Sequence, residues 1–579
     1  MKPGNTLLII TISVLWGCFK KQEKKEESQS PDSTTRITVC YNPQTTDMDW
    51  YSSKKKAPLL EGLQGINFNI TTSKPAAQAY FNQGMMLAYG FNHAEAARSF
   101  HEAIRLDSAC AMAQWGFAYV LGPNYNAGME EDNFQRAWKA VQKAQQLSAG
   151  CTPKEKALIV ALAARYAEVP PANRMPLDIA YARAMEKVYR RFPSDPDIGA
   201  IYAESIMDLH PWDLYEKKTK APKSWTPQLL AVLENLLKKN PEHPGAHHLY
   251  IHALEASATP EKALASAALL DTLVPGAGHL LHMPSHIYIN TGDYHQGSFS
   301  NIRAVGADSS YITACHAQGA YPLAYFPHNY HFLAATATLE GNAGLAWTAA
   351  EKVQQYTAKA VMRTPGWGTL QHYYTIPYYI AVKFSMWDRV LSLPGPAKDL
   401  VYPRAVWHYA RGMAFLGKRD LSRAQEEMSS LARLAKDTTL NAITVWNINT
   451  GSDLVKIASK VLAAGLAARQ NQLDKSAALL REAVLIEDNL NYNEPPDWFF
   501  SVRHHLGAVL LKAGRNAEAE RVYREDLLTW KKNGWALIGL YNALMQQKNT
   551  GEAQSVKSAF DQSWKYANVK ISSSSTIAD

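Results

Sequence analysis

Small and large residues recur along this chain at fixed long-range spacing. Counting from Ala77, the residues Tyr80, Gly84, Leu87, Ala96, Phe100 and Ala103 fall at offsets 4, 8, 11, 20, 24 and 27 of a 34-residue frame. Apolar residues three and four apart share one helix face, so the two runs either side of Asn92-His93 read as an antiparallel pair of helices. Glycine and alanine let the axes approach, and Phe or Tyr fills the space between them. The pattern returns with Tyr288, Gly292-Asp293-Tyr294 and Ala304 in a frame starting at Gly278, with Gly412 and Ala424, and with Gly465 and Ala477. It appears again with Leu506, Gly507, Gly514, Ala519 and Tyr523, and Trp535 and Gly539 mark a last degenerate copy. Helical periodicity continues through Thr152 to Arg191, Asp195 to Lys239 and Ala334 to Gln355, with turns at Asn240-Pro241, Thr259-Pro260 and Thr364-Pro365-Gly366. About ten to twelve hairpins are expected over residues 77–565.

These offsets resemble the tetratricopeptide repeat family. The resemblance implies an all-α solenoid, a superhelix of helical hairpins whose first helices turn offsets 2, 5, 9, 12 and 13 toward a concave groove. The segments HHLYIHALEAS, HMPSHIYINTGDY and YNEPPDWFFSVRHHLG are moreover similar to those of large exported bacterial tetratricopeptide lipoproteins of unassigned activity. Repeats are expected over 77–310 and 327–565, separated by an insertion at 311–326. Residues 38–76, with a short strand at Ile66 to Thr71, are expected to cap the first repeat, and the Ser-rich end, 566–579, to be disordered.

The N-terminus carries Lys2, an apolar run from Leu7 to Trp16, and Gly17-Cys18. A run of about ten apolar residues is too short to span a bilayer and reads as a signal peptide, residues 1–17. Leu15-Trp16-Gly17-Cys18 resembles a bacterial lipoprotein signal, which implies lipidation of Cys18 and a membrane contact made only through that anchor. Residues 18–37 are charged and Ser-rich and read as a flexible tether. Phe19 replaces the Asp that retains such proteins in the inner membrane, so a cell-envelope location at the outer membrane is expected. Cys40, Cys110, Cys151 and Cys315 are far apart with no CxxC, which leaves room for one disulfide and implies no framework.

Charged residues make up 19% of the chain, and its net +8 is spread without basic clusters. Nucleic-acid binding, which needs clustered Lys and Arg, is not expected. Histidine is distributed very differently. Eleven of the 18 histidines lie between His243 and His331, where an even spread would put about three. His248 and His252 stand 34 residues before His282 and His286, so both pairs occupy offsets 5 and 9 of successive frames starting at Pro244 and Gly278. A third frame at Pro327 adds His331 at offset 5, His279 and His328 share offset 2, and Glu255 takes offset 12. His248, His252 and Glu255 follow i, i+4, i+7 spacing, and two imidazoles with a carboxylate on one helix face are a ligand set for zinc, copper, iron or manganese.

The plainer reading of the same residues is a metal-free polar groove or a structural network. His243 and His247 flank a helix start and read as capping or surface residues, while His295 and His316 belong to turns or the following helix. Glu204 and Asp208 fall near offsets 9 and 13 of a frame at Pro196, and Trp115 and Tyr119 are aromatic candidates for the groove wall. The Glu494-Pro495-Pro496-Asp497-Trp498 segment reads as a stiff rim, with Asp497 as a helix cap and Trp498 in the core. No HExxH, GxSxG or phosphate-cradling glycine loop is present, and Cys315 and His316 are helix neighbours that diverge by about 100°. The expectation is a binding protein that takes a protein or peptide segment, or a small ligand, in its groove, with the histidines as a transition-metal site. The alternative is a metal-dependent hydrolase or oxygenase of unknown substrate. A third reading, a glycan-capture lipoprotein, meets the objection that FKKQEKKEE lacks the Asp/Leu-rich start of that family.

Overall fold

Twelve antiparallel helical hairpins follow one another in the computed structural model, from Pro75–Tyr89 with His93–Leu106 to Gly534–Gln546 with Thr550–Ser563. The structure describes residues 46–53, 55–315, 317 and 319–577. The signal peptide, Cys18, the tether, Cys40, the start of the cap segment and His316 therefore lie outside the described residues. The fold is an all-α solenoid of tetratricopeptide type. Among the described residues, the strands are confined to one small hairpin, Thr444–Val445 paired with Asn449–Thr450.

The small-and-large alternation works as its spacing implies. Phe100 is gripped by two glycines, since a Cβ on Gly84 would lie 2.7 Å, and one on Gly116 2.4 Å, from its ring. Tyr523 sits in the same way between Gly507 and Gly539. Several first helices open with proline in the first turn, where no N–H is needed. Thr152 and Glu155 form a capping box before Pro153–Ala163, and Asp195 caps Pro196–Met207.

The array also closes on itself. The helix Pro244–Glu255 lies against the end of Pro75–Tyr89, so tightly that a Cβ on Gly245 would meet the Tyr89 ring at 2.6 Å. From the other end, the Lys531 carbonyl accepts from Tyr294 Oη at 2.7 Å and Trp535 Nε1 donates to the Thr338 carbonyl at 3.1 Å. The open concave groove implied by the resemblance is thereby narrowed, because first helices several hairpins apart touch across it. The apolar core falls into two large blocks, Leu63 to Tyr288 and Ile289 to Ile577, which meet along the helix Pro284–Thr291, and a small third cluster of Leu537, Ile538 and Phe560.

Three local expectations are corrected, and the insertion is given its form. Ile66 to Thr71 is not a strand: Gln78 and Glu155 side chains take the backbone N–H groups of Ile70 and Thr71, while Phe68 packs on Phe81 and Trp115. The 311–326 insertion is largely helical, since Tyr294–Cys315 runs into it and the π-helix Tyr321–Tyr325 leads into Phe326–Leu339. The tail is ordered through Ile577, because its serines find buried partners: Ser574 meets Tyr523 and the His504 carbonyl, and Ser575 meets His505. Asp497 caps no helix and instead accepts from Asn449 and Asn493, whereas Trp498 is in the core.

Candidate metal centre

The helix Pro244–Glu255 is buried on every side, so its histidines look inward whichever way they point. His243 caps it, with Nδ1 accepting from the Ala246 N–H at 3.1 Å, and His247 bonds Ser266 and the Pro241 carbonyl. Both are structural. His248, His252 and Glu255 share the face turned toward the next hairpin. There the first helix is broken into Gly278–His282 and Pro284–Thr291, because Pro284 has no N–H to continue the ladder. His282 and His286 straddle the break with their Nε2 atoms 2.8 Å apart.

The histidines gather into two groups of three, His248/His252/His279 and His282/His286/His328, each with one ligand nitrogen per ring within 4.8 Å of the others. A third group, Glu255/His286/Glu494, meets the same limit. Both HxxxH pairs are held from behind in the same way. His248 Nδ1 donates to the Tyr89 carbonyl at 2.5 Å, and His252 Nδ1 to Glu255 Oε1 at 2.7 Å. His286 Nδ1 donates to Glu255 Oε2 at 2.5 Å, with Glu494 Oε2 at 3.3 Å. His282 Nδ1 donates to Asn301 Oδ1 at 2.7 Å, whose orientation is set by Asn301 Nδ2 donating to the Gly297 carbonyl. Every one of these partners is an acceptor, so the proton of each neutral ring sits on Nδ1 and the Nε2 lone pair points into the site.

Those lone pairs have little else to meet. Nε2 of His248 and of His252, both ring nitrogens of His279 and Nδ1 of His328 are buried without a hydrogen-bond partner. Burial drives His248, His279, His282 and His328 well below the ordinary histidine range, and the neighbouring rings push in the same direction. His252 is lowered too, by burial against the pull of Glu255. His286 differs: burial opposes its charge, yet Glu255 and Glu494 raise it to about 9. Since Nδ1–H of His282 is committed to Asn301, its Nε2 accepts from Nε2–H of His286. Metal-free His286 is thus an imidazolium. Burial alone would raise Glu255, but the charges and hydrogen bonds of His286 and His252 hold it at about 2.

Two ligand nitrogens on one metal at about 2.1 Å stand roughly 3.3 Å apart. His282 and His286 stand at 2.8 Å, and in both triads every ligand nitrogen lies within 4.8 Å of the others, so side-chain adjustment of an ångström or so would close either triad on an ion. Beside the rings lies a cavity of about 460 Å³ whose wall includes His252, His279, His286, His328 and Glu494, with Tyr125, Trp212, Tyr325 and Trp446 as its aromatic lining. A larger cleft of about 1100 Å³ also reaches His252, Glu255 and Glu494.

The remaining sequence candidates separate. His331 joins neither triad: its ring stacks on Phe499 and pairs with His372, and Ala335 stands where a third offset-9 histidine would be needed. Trp115 and Tyr119 are core residues stacked on each other, with Trp115 Nε1 donating to the Leu158 carbonyl, because their helix Ala111–Val120 is buried between neighbours. Glu204 is turned to Tyr119 Oη, and Asp208 pairs with Arg165 at 2.6 Å while reaching the cavity wall. His295 lies in the second helix of its hairpin and pairs with Glu340. Cys110, Cys151 and Cys315 are free thiols. Glu494 was visible only as part of a rim segment. It stands far along the chain from His286, and no spacing rule connects them.

No protein family matches the sequence, and no curated protein does. Among solved structures, the human IFIT1 dimer with m7Gppp-AAAA is 13% identical, over 86% of this chain and 92% of that one, with a TM-score of 0.30. The APC/C hetero-tetramer Cut9-Hcn1 is 13% identical, over 89% and 78%, with a TM-score of 0.28. Neither likeness carries an argument about function.

Proposed function

We propose that this chain is an exported, lipid-anchored helical-repeat protein that binds a transition-metal ion among its central hairpins and a small ligand in the adjoining cavity. The observation that supports it best is that, with Nδ1 of His248, His252, His282 and His286 anchored from behind, Nε2 of His248 and His252, both ring nitrogens of His279 and Nδ1 of His328 are buried without a partner. A buried polar atom without a partner costs about 1–3 kcal/mol, and a network serving only the fold would satisfy them. Imidazole donors with no thiol favour zinc, copper or iron over manganese. Neutral lone pairs would bind the ion, Asn301 and the Tyr89 carbonyl would orient rings, and Glu255 would orient His252 and His286 and balance charge. The ion, when bound, would supply Lewis-acid or redox chemistry.

The cavity's aromatic wall and size suit a small molecule better than an extended peptide, so a protein partner would dock outside it. The metal-dependent hydrolase or oxygenase reading draws support from the cavity opening directly on His252, His279, His286 and His328. Elemental analysis of protein purified without a His tag tests the metal reading. Bound zinc, copper or iron that is lost in the His252→Ala/His286→Ala double variant is expected. Less than about a tenth of an equivalent after incubation with each metal would remove it. For the anchor, Cys18→Ser should move the protein from the detergent phase to the aqueous phase.

A further inference from the structure

We infer that the centre holds two ions, one in each of two three-histidine pockets built from the same frame positions of successive hairpins. This rests on the metal reading above and goes beyond it in number and arrangement. The first pocket takes offsets 5 and 9 of the frame at Pro244, His248 and His252, and offset 2 of the next frame, His279. The second takes offsets 5 and 9 of the frame at Gly278, His282 and His286, and offset 2 of the frame at Pro327, His328. The rule for making the pocket is the same both times.

The geometry repeats with the rule. Ring centroids in the first pocket are 4.8, 5.0 and 6.3 Å apart, for His248–His252, His248–His279 and His252–His279. In the second they are 4.8, 4.8 and 6.0 Å, for His282–His286, His282–His328 and His286–His328. In both, the HxxxH pair is anchored through Nδ1 and the offset-2 ring comes from the following hairpin with at least one buried nitrogen unpartnered. A third copy fails for a visible reason: the next frame has His331 at offset 5 but Ala335 at offset 9.

The two pockets are contiguous. Across their border His279–His282 and His252–His286 are 5.8 and 5.9 Å apart, less than the widest spacing inside each pocket, and Glu255 bonds one ring of each. Three protein ligands leave a fourth position open on a tetrahedral ion. His252 and His279 from one pocket and His286 and His328 from the other line the same cavity, so both open positions face it. The ligand class that fits is a small oxygen donor, water, hydroxide or dioxygen, bridging two neighbouring ions at the end of an aromatic-walled cavity.

Metal stoichiometry with zinc and with copper(II), read by elemental analysis and calorimetry, tests the inference. Wild type should take up two equivalents. His279→Gln and His328→Gln are the decisive variants, because the ring nitrogens of His279 and Nδ1 of His328 make no hydrogen bond that the substitution would remove. Each should weaken one site by about 10-fold or more and leave the other at wild-type affinity. In copper(II)-loaded protein, the spin count by EPR should fall below the bound copper through coupling of the pair. A single equivalent at saturation, in protein with wild-type circular dichroism, would overturn the pair while leaving one metal site. One equivalent indifferent to both His279→Gln and His328→Gln would place the ion at Glu255/His286/Glu494 and likewise overturn it. No metal at all would sink the underlying reading as well.

Discussion

Replacing Glu255 by glutamine changes one atom and tests the logic of the whole centre. The carboxylate is 2% exposed and accepts from His252 Nδ1 at 2.7 Å and His286 Nδ1 at 2.5 Å. Glutamine offers one accepting oxygen and one NH2 donor, so it satisfies only one of the two rings. If that leaves His252 unsatisfied, its proton moves to Nε2 and removes the lone pair a metal would use; if it leaves His286 unsatisfied, the imidazolium loses its nearest carboxylate. In the metal-free protein, at least one hydrogen bond to a charged group disappears, worth about 1.5–3 kcal/mol. Metal affinity should drop by about 10–100-fold, as when an orienting partner of a ligating histidine is lost. Aspartate at the same position keeps two acceptors on a shorter stem and should fall between. The measurements are chelator competition for affinity and hydrogen exchange over residues 244–291 for local stability, since a chain of many hairpins does not unfold in one step. Glutamine and wild type agreeing within about twofold in affinity, with equal protection, would refute the assignment of Nδ1 protons on which the argument stands.

Gly507→Ala should cost about 1–3 kcal/mol in the C-terminal hairpins, because its Cβ would sit 2.2 Å from the Tyr523 ring; a lowered thermal midpoint checks it. Deleting residues 569–577 should raise hydrogen exchange across Arg503–Lys512 and Asn516–Thr529, since Ser574 and Ser575 leave Tyr523, the His504 carbonyl and His505 without partners; unchanged protection would argue against tail docking. Lys383 supplies a pH prediction. It is half-buried, 2.9 Å from His504 Nδ1 and over the Trp535 ring; burial, opposed by Asp526, pulls it down to about 7. The unfolded lysine stays protonated to about 10.4, so the contribution is present above that value and lost as pH falls through about 7. Relative to Lys383→Met, wild type should therefore gain about 1 kcal/mol between pH 7 and 9, discounted for partial exposure; a flat difference in denaturation midpoints would contradict it.

What could be read from the chain was what local spacing encodes. The hairpins follow from offsets such as Gly84 and Phe100, and the gathering of His248, His252, His282 and His286 follows from a 34-residue repeat acting on helices that stack in register. His331 was placed with them by its offset, though Ala335 in the same frame marks that copy as incomplete. Contacts between distant segments left no such trace. Glu494 reaches His286, and Tyr89 reaches His248, only because the superhelix returns on itself. Trp115 and Tyr119 are core and not groove because neighbouring hairpins cover their helix: aromatic content alone does not say which face of a helix will be covered. The Ser-rich tail looked unstructured because its own composition buries nothing, whereas its order comes from hydroxyls meeting His505 and Tyr523.

The latch of Lys531 and Trp535 onto Tyr294 and Thr338 has a bearing on how such a chain can change. A string whose links touch only their neighbours tolerates the gain or loss of a link at little cost. Here the last links clasp the middle ones, so an added or deleted hairpin between residues 340 and 530 would carry the clasp past its seat. Length variation should then be confined to loops, and the number of hairpins held constant by the need for the ring to shut.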